Sequence, residues 1–372
     1  MQSIGRLTSL GRLRGLAALC VVFGHAFHVQ SLTPAQYAFN PAFLIISSAT
    51  VIFVLIAGIL FRIKAVSRLV NGDTCTRTIF CRRWAELSGT YLTVGLFLAV
   101  VVGYKEGIRE GVSPFFYAFQ MMLNGSMAHS YWYVPFFLIL MALAPSHVWF
   151  CRLKLPVQVF LIIFGMIISA FIHRPNADVT LGAVHSLAYY LPVFWLGLVL
   201  GSYWQEILKW LHGKEILLGI LMLCCVALQV EIGQDQVYLH KIGENWGDID
   251  LFIIQKVLFS LIFISVFHRT QALKMPLFDW LSKNSLVIFF MHCPVLILIT
   301  SAPHLSGFYV PDLVLVTIIT IVGGVQMHKS LVRTFARLPD GVKGFAETIR
   351  EARLSERFPR GLLSFLAPSV KG

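Results

Sequence analysis

Charge is scarce in this chain. Of 372 residues only 13% are Asp, Glu, Lys or Arg, and the acids number just 18, where soluble domains carry roughly a quarter charged residues. With 57% of the residues hydrophobic, too little polar surface remains to coat a particle in water. That excludes a soluble enzyme, a disordered tail, a collagen-like fibre and a disulfide scaffold. Cysteine is sparse too: there are seven, an odd number, several inside apolar runs, with no CxxC and no Cys/His spacing suited to a metal. Free thiols are expected, with neither a structural disulfide nor a metal. No Walker loop, GxGxxG, HExxH or GxSxG stands in a plausible place. Internal repeats are also missing, which counts weakly against a transporter.

Long apolar runs are what the sequence does have. About 20 such residues cross some 30 Å of hydrocarbon, and ten segments qualify, near 13–32, 43–62, 84–103, 131–149, 155–173, 184–203, 214–231, 249–268, 284–302 and 308–328. The short alternating segments of a membrane barrel are not seen. The predicted fold class is all-α: a polytopic integral membrane protein of about ten transmembrane helices. Residues 1–328 form the membrane domain. Residues 329–372 mix Arg and Glu with Phe335, Phe345, Leu362, Leu363 and Phe365 and read as a cytoplasmic amphipathic tail on the inner leaflet. The N-terminal basic stretch and apolar run have the look of a signal peptide, but no convincing cleavage site follows Phe27, so the run is kept as the first span.

The 30 cations against 18 acids give a net charge of +12. A soluble protein with this excess would seek a polyanion; here the excess sets orientation, and no nucleic-acid partner is expected. If the N-terminus is cytoplasmic, alternate loops and the tail collect 25 cations on that side and only Lys105, Arg109, Arg174 and Lys241 on the other. This places both termini in the cytoplasm and implies an even number of spans. Lys256 falls inside a span, where it is expected to snorkel or to pair with Asp250 or Glu231.

Ionisable groups inside lipid are expensive and tend to be functional. Arg14 and His25 lie eleven residues apart in the first span. At 100° per residue they share one helix face, separated by about 16 Å along the axis. A guanidinium at the inner edge and an imidazole at mid-membrane suit a long, phosphate-headed substrate with its reactive group buried deeper, the shape of a coenzyme A thioester. The plain alternative is an orientation signal beside a hydrogen-bonded histidine. His292, eight residues beyond Asn284 in the ninth span, reaches a similar depth. Two imidazoles at one level divide general-base and orienting roles, or His292 is simply satisfied by a backbone carbonyl. Arg82 and Arg83, before the third span, are phosphate ligands or orientation signals. Trp132 and Tyr133, opening the fourth, form part of an interfacial aromatic belt or a platform that binds sugar. Pro135 and Pro192 are candidates to kink helices beside a cavity.

Taken in order, these residues resemble the acyltransferase-3 family of bacterial membrane O-acyltransferases. The resemblance rests on Leu10-Gly11-Arg12-Leu13-Arg14-Gly15-Leu16 continuing to His25, Phe53 to Gly58, Arg82-Arg83, Trp132-Tyr133-Val134-Pro135, Tyr190 to Gly197, and Asn284-Ser285 to His292-Cys293-Pro294, within residues 10–300. Gly11, Ala57, Glu86 and Gly89 depart from the family pattern. The resemblance implies a bacterial inner-membrane enzyme that takes an acyl group, commonly acetyl, from cytoplasmic acyl-CoA. It would deliver that group to a hydroxyl of an extracytoplasmic glycan, either polymeric or lipid-linked. In that reading acyl-CoA is a co-substrate, no metal takes part, His25 is catalytic, Arg14 is its partner, and Arg82 and Arg83 contact the CoA phosphates. From a different class, the same buried polar groups suit a transporter or flippase for a lipid-linked glycan.

Overall fold

The computed structural model describes residues 2–28, 41–46, 49–66, 111, 113–126, 131–172, 182–232, 249–300 and 310–336, with single positions at 88, 91, 92 and 95. Among these residues there are helices and turns but no strand, as lipid demands of a chain that cannot close a barrel. The helices are α1 (Gln2–His28), α2 (Pro41–Ile46), α3 (Thr50–Phe61, continued by a π-turn over Arg62–Val66), α4 (Pro114–Asn124), α5 (Tyr133–Ala142) and α6 (Ala144–Arg152). They are followed by α7 (Leu155–Ile172), α8 (Gly182–Ser202), α9 (Trp204–Leu211), α10 (Glu215–Glu231), α11 (Phe252–Arg269), α12 (Pro276–Thr300) and α13 (Val310–Ala336).

Among the described residues six helices are long and apolar enough to cross a membrane, or eight if each of two bent pairs counts as one span. The expected span at 131–149 is broken: α5 and α6 meet at 57°, where Pro145, at the start of α6, has no N–H to continue the ladder. His147 ties the break together. Its Nε2 donates to Leu140 O at 2.9 Å, and its Nδ1 accepts the Trp195 indole N–H at 3.4 Å. The amphipathic α9 turns through 85° into α10 at Gly213, whose φ of +77° favours a residue without Cβ. The expected span 84–103 lies, apart from single positions, outside the described residues. So do Arg82, Arg83 and everything beyond 336.

Small residues set the two closest helix contacts, as expected where lipid removes the hydrophobic incentive to associate. Gly58 of α3 and Gly197 of α8 face each other. A Cβ on either would meet the other's Cα at 3.0 Å and press harder still on the carbonyl of Phe194 or Leu55. In the second contact, α1 and α12 run parallel. A Cβ on Gly15 would sit 2.7 Å from Phe278 O and 2.9 Å from Ser282 N, and one on Gly11 would sit 3.0 Å from Ser282 Oγ. Beside them α13 packs Ile321 and Val325 against Ala18, Val22, Leu281 and Ile288.

Two cations behave differently from a simple orientation signal. Arg12 is 3% exposed. Its Nε donates to Asp279 Oδ1 at 3.0 Å, while Nη1 and Nη2 donate to Thr270 O and Leu273 O at 3.0 and 2.7 Å. The planar fork thus clamps α1 to the turn between α11 and α12. Lysine keeps the charge but offers a point donor on a flexible stem. Arg12→Lys is therefore expected to lower stability by about 1–3 kcal/mol, the cost of hydrogen bonds lost from a buried charged group, read as a lower thermal midpoint in detergent. Lys256 corrects the expectation of snorkelling or pairing with Asp250 or Glu231. It is fully buried and donates to Leu44 O and Ile45 O at 2.7 and 2.6 Å. These carbonyls end α2, the negative pole of that helix. Asp250 instead accepts Tyr189 O–H at 2.6 Å and Phe252 N–H at 2.8 Å.

Candidate functional site

The parallel contact of α1 with α12 brings the two histidines together. The ring centroids of His25 and His292 lie 5.2 Å apart, tilted by 38°. Ten residues of α12, from Ser282 to His292, match eleven of α1, from Arg14 to His25, so the register fixed by Gly11 and Gly15 carries up to the imidazoles. His25 is half-buried and His292 fully buried.

The hydrogen bonds of His292 distinguish it from His25. Its Nδ1 is 3.0 Å from Ile288 O, one turn back. A carbonyl only accepts, so Nδ1 carries the proton and donates it there. That leaves Nε2 with its lone pair, 3.4 Å from Cys293 Sγ, positioned to accept the S–H. Both ring nitrogens are therefore engaged on their own helix, and the ring is held as a wall beside His25.

Arg14 reaches the same partner helix three turns earlier. Its Nη2 donates to Ser282 O at 2.8 Å and to Ser282 Oγ at 3.4 Å, in a half-buried position. Arg14 and His25 thus both lie along the seam with α12.

Trp132 and Tyr133 join the histidines through a run of rings. His292 contacts Phe289 at 6.2 Å, and Phe289 contacts Tyr133 at 5.4 Å and Phe53 at 6.4 Å. Tyr133 neighbours Trp132 at 6.2 Å. Trp132 is buried, stacked on Tyr190 at 5.7 Å and 18°; this face packs against α8 inside the protein. Gly125, a left-handed cap at φ +69° closing α4, makes room for it, since a Cβ there would lie 2.5 Å from Trp132 Cα.

Four residues here escape a reading by residue type: Ser282, Phe289, Cys293 and Arg12. Their available signals were spacing signals: glycines four apart on α1, and a proline two residues after His292. Among the described residues no three of His, Cys, Asp or Glu group in a way that could hold a metal ion. The five described cysteines, Cys20, Cys151, Cys224, Cys225 and Cys293, are free thiols.

Compared with known proteins, the chain matches the acyltransferase-3 family model, described as an acyltransferase domain, over residues 7–327. That stretch includes α12 and all but the first residues of α1, and so both histidines. No curated protein and no solved structure matches.

Proposed function

The chain belongs to the acyltransferase-3 family, and from that premise we propose that it transfers an acyl group, acetyl in the first instance, from cytoplasmic acyl-CoA to a hydroxyl of an extracytoplasmic glycan. The glycan is an exopolysaccharide, a lipopolysaccharide or a lipid-linked oligosaccharide, and the enzyme resides in a bacterial inner membrane. Ten spans with both termini in the cytoplasm belong to the same proposal, as do Arg82 and Arg83 as ligands of the CoA phosphates.

The observation that carries this reading is the seam between α1 and α12, with a guanidinium three turns below a pair of imidazoles. The CoA phosphates are bound at the Arg14 end, and the pantetheine arm runs along the seam toward His25. There the acceptor hydroxyl attacks the thioester carbonyl carbon while His25 takes its proton. The C–S bond then breaks, the sulfur leaves as thiolate, and the proton passes from His25 to it, giving ester and free CoA. His292, with both nitrogens engaged, keeps the imidazole of His25 in place. Tyr133, the nearer of the pair to the histidines, is the residue that receives the sugar in this proposal, with the buried Trp132 backing it from the side of α8.

Purified protein incubated with radiolabelled acetyl-CoA and extracted glycan is expected to release free CoA and to place label on the glycan. Transport of glycan across vesicles without thioester consumption would instead favour a flippase.

A further inference from the structure

Pro294 lies inside α12, two residues after His292. Having no N–H, it cannot donate to the carbonyl four residues back, Phe290 O, leaving that acceptor without its helical donor in the buried turn that carries His292. The missing donor arrives from the turn that precedes α5: Tyr131 Oη donates to Phe290 O at 2.7 Å. Tyr131 is fully buried. Its ring meets Phe290 edge-on at 5.7 Å and lies 6.2 Å from Tyr91. Both Tyr131 and Phe290 belong to one buried cluster with Val134 and Cys293, and Cys293 is the thiol at His292 Nε2.

We propose that Tyr131 is a positioning residue for the acyl-transfer centre: its hydroxyl takes the place of the amide that Pro294 lacks, and so holds the turn of α12 that keeps His292 against His25. The inference rests on the acyl-transfer reading above for its catalytic consequence, but not for the hydrogen bond itself. Without the Tyr131 hydroxyl, the Phe290 carbonyl, in an apolar setting, loses the donor that stands in for the Pro294 amide. The turn then shifts toward another donor, and His292, two residues on, shifts with it. A displacement of about 1 Å at a reacting centre can cost on the order of 10²-fold in rate. Tyr131 touches no reacting atom in this arrangement, so its loss is read in kcat and not in the grip on CoA.

The test is a double-mutant cycle in the full-length protein in detergent, using Tyr131→Phe, Pro294→Ala and the pair. Pro294→Ala restores an amide N–H facing Phe290 O, which makes the tyrosine hydroxyl redundant. Two quantities are measured: the thermal midpoint, and kcat and KM for CoA release from acetyl-CoA. Tyr131→Phe alone is expected to lower the midpoint and to cut kcat about tenfold with KM for acetyl-CoA unchanged. In the Pro294→Ala background the same change is expected to alter kcat less than about twofold and to leave the midpoint nearly where it was. Equal losses from Tyr131→Phe in both backgrounds would overturn the proposal, as would a loss confined to KM. If the unmutated protein released no CoA, the acyl-transfer reading would fail, while the midpoint cycle would still decide whether Tyr131 and Pro294 are coupled.

Discussion

His25→Ala is expected to lose acyl transfer by about 10³-fold, within the range that a positioned acid–base group supplies, while the protein accumulates in membranes with an unchanged thermal midpoint. The separation of activity from stability follows from where the side chain sits. His25 is half-buried beside the His292 imidazole, so truncation removes less packing than at a fully buried position, while it withdraws the group that takes the acceptor's proton. His292→Ala makes the contrast. Both its ring nitrogens are engaged on α12, so its removal withdraws a wall, and the expected loss of rate is nearer tenfold with a measurable fall in midpoint from the cavity left behind. The check is the initial rate of CoA release from acetyl-CoA in the presence of glycan, alongside thermal midpoints for both variants. Equal activity losses in the two would contradict this division of roles.

The second large effect concerns the fold. Gly197→Leu is expected to abolish accumulation of folded protein, and Gly197→Ala to lower the midpoint sharply. The added atoms have nowhere to go, because a Cβ would press on Leu55 O and lie 3.0 Å from both Gly58 Cα and Ile59 N. These are backbone atoms that no rotamer change can clear, so α3 and α8 must separate. Gly219→Ala in α10 is the matched control. Nothing lies within 4 Å of a Cβ built there, and exchanging glycine for alanine within a helix contributes up to about 1 kcal/mol of stability. Fluorescence-detected size exclusion of the two alanine variants should show a shifted, weakened peak for the first and an unchanged or sharper one for the second.

Helical periodicity and apolar run length were enough to read the all-α membrane fold, because lipid leaves so few alternatives. The common depth of His25 and His292 was legible in the same way, by counting rise per residue from the inner edge of each span. Counting says nothing, however, about where a span breaks. The run at 131–149 is apolar throughout, and only Pro145, not Pro135, marks its bend. Nor does it say which cation is enclosed. Arg12 and Arg14 contribute alike to an orientation rule, but in space Arg12 is a buried clamp across 258 to 267 residues of sequence, a pairing that no local pattern encodes. Lys256 escapes for a related reason. Carboxylates are its obvious partners in a sequence, whereas the carbonyls ending a six-residue helix such as α2 are invisible until the helix is seen to end there. The interfacial look of Trp132 came from its position at the start of an apolar run; that it stacks on Tyr190 depends on the left-handed turn at Gly125 and on α8 lying alongside.

The path of the acyl group itself is accessible through a photoreactive acyl-CoA with a diazirine at the end of its acyl chain. The compound is bound to the purified protein and irradiated, and the labelled peptides are mapped. Label is expected on α1 around His25 and on α12 around His292, competed away by acetyl-CoA. Competable label confined to the lipid-facing α7, with α1 and α12 untouched, would mean that the acyl group never enters the seam between the two histidine-bearing helices.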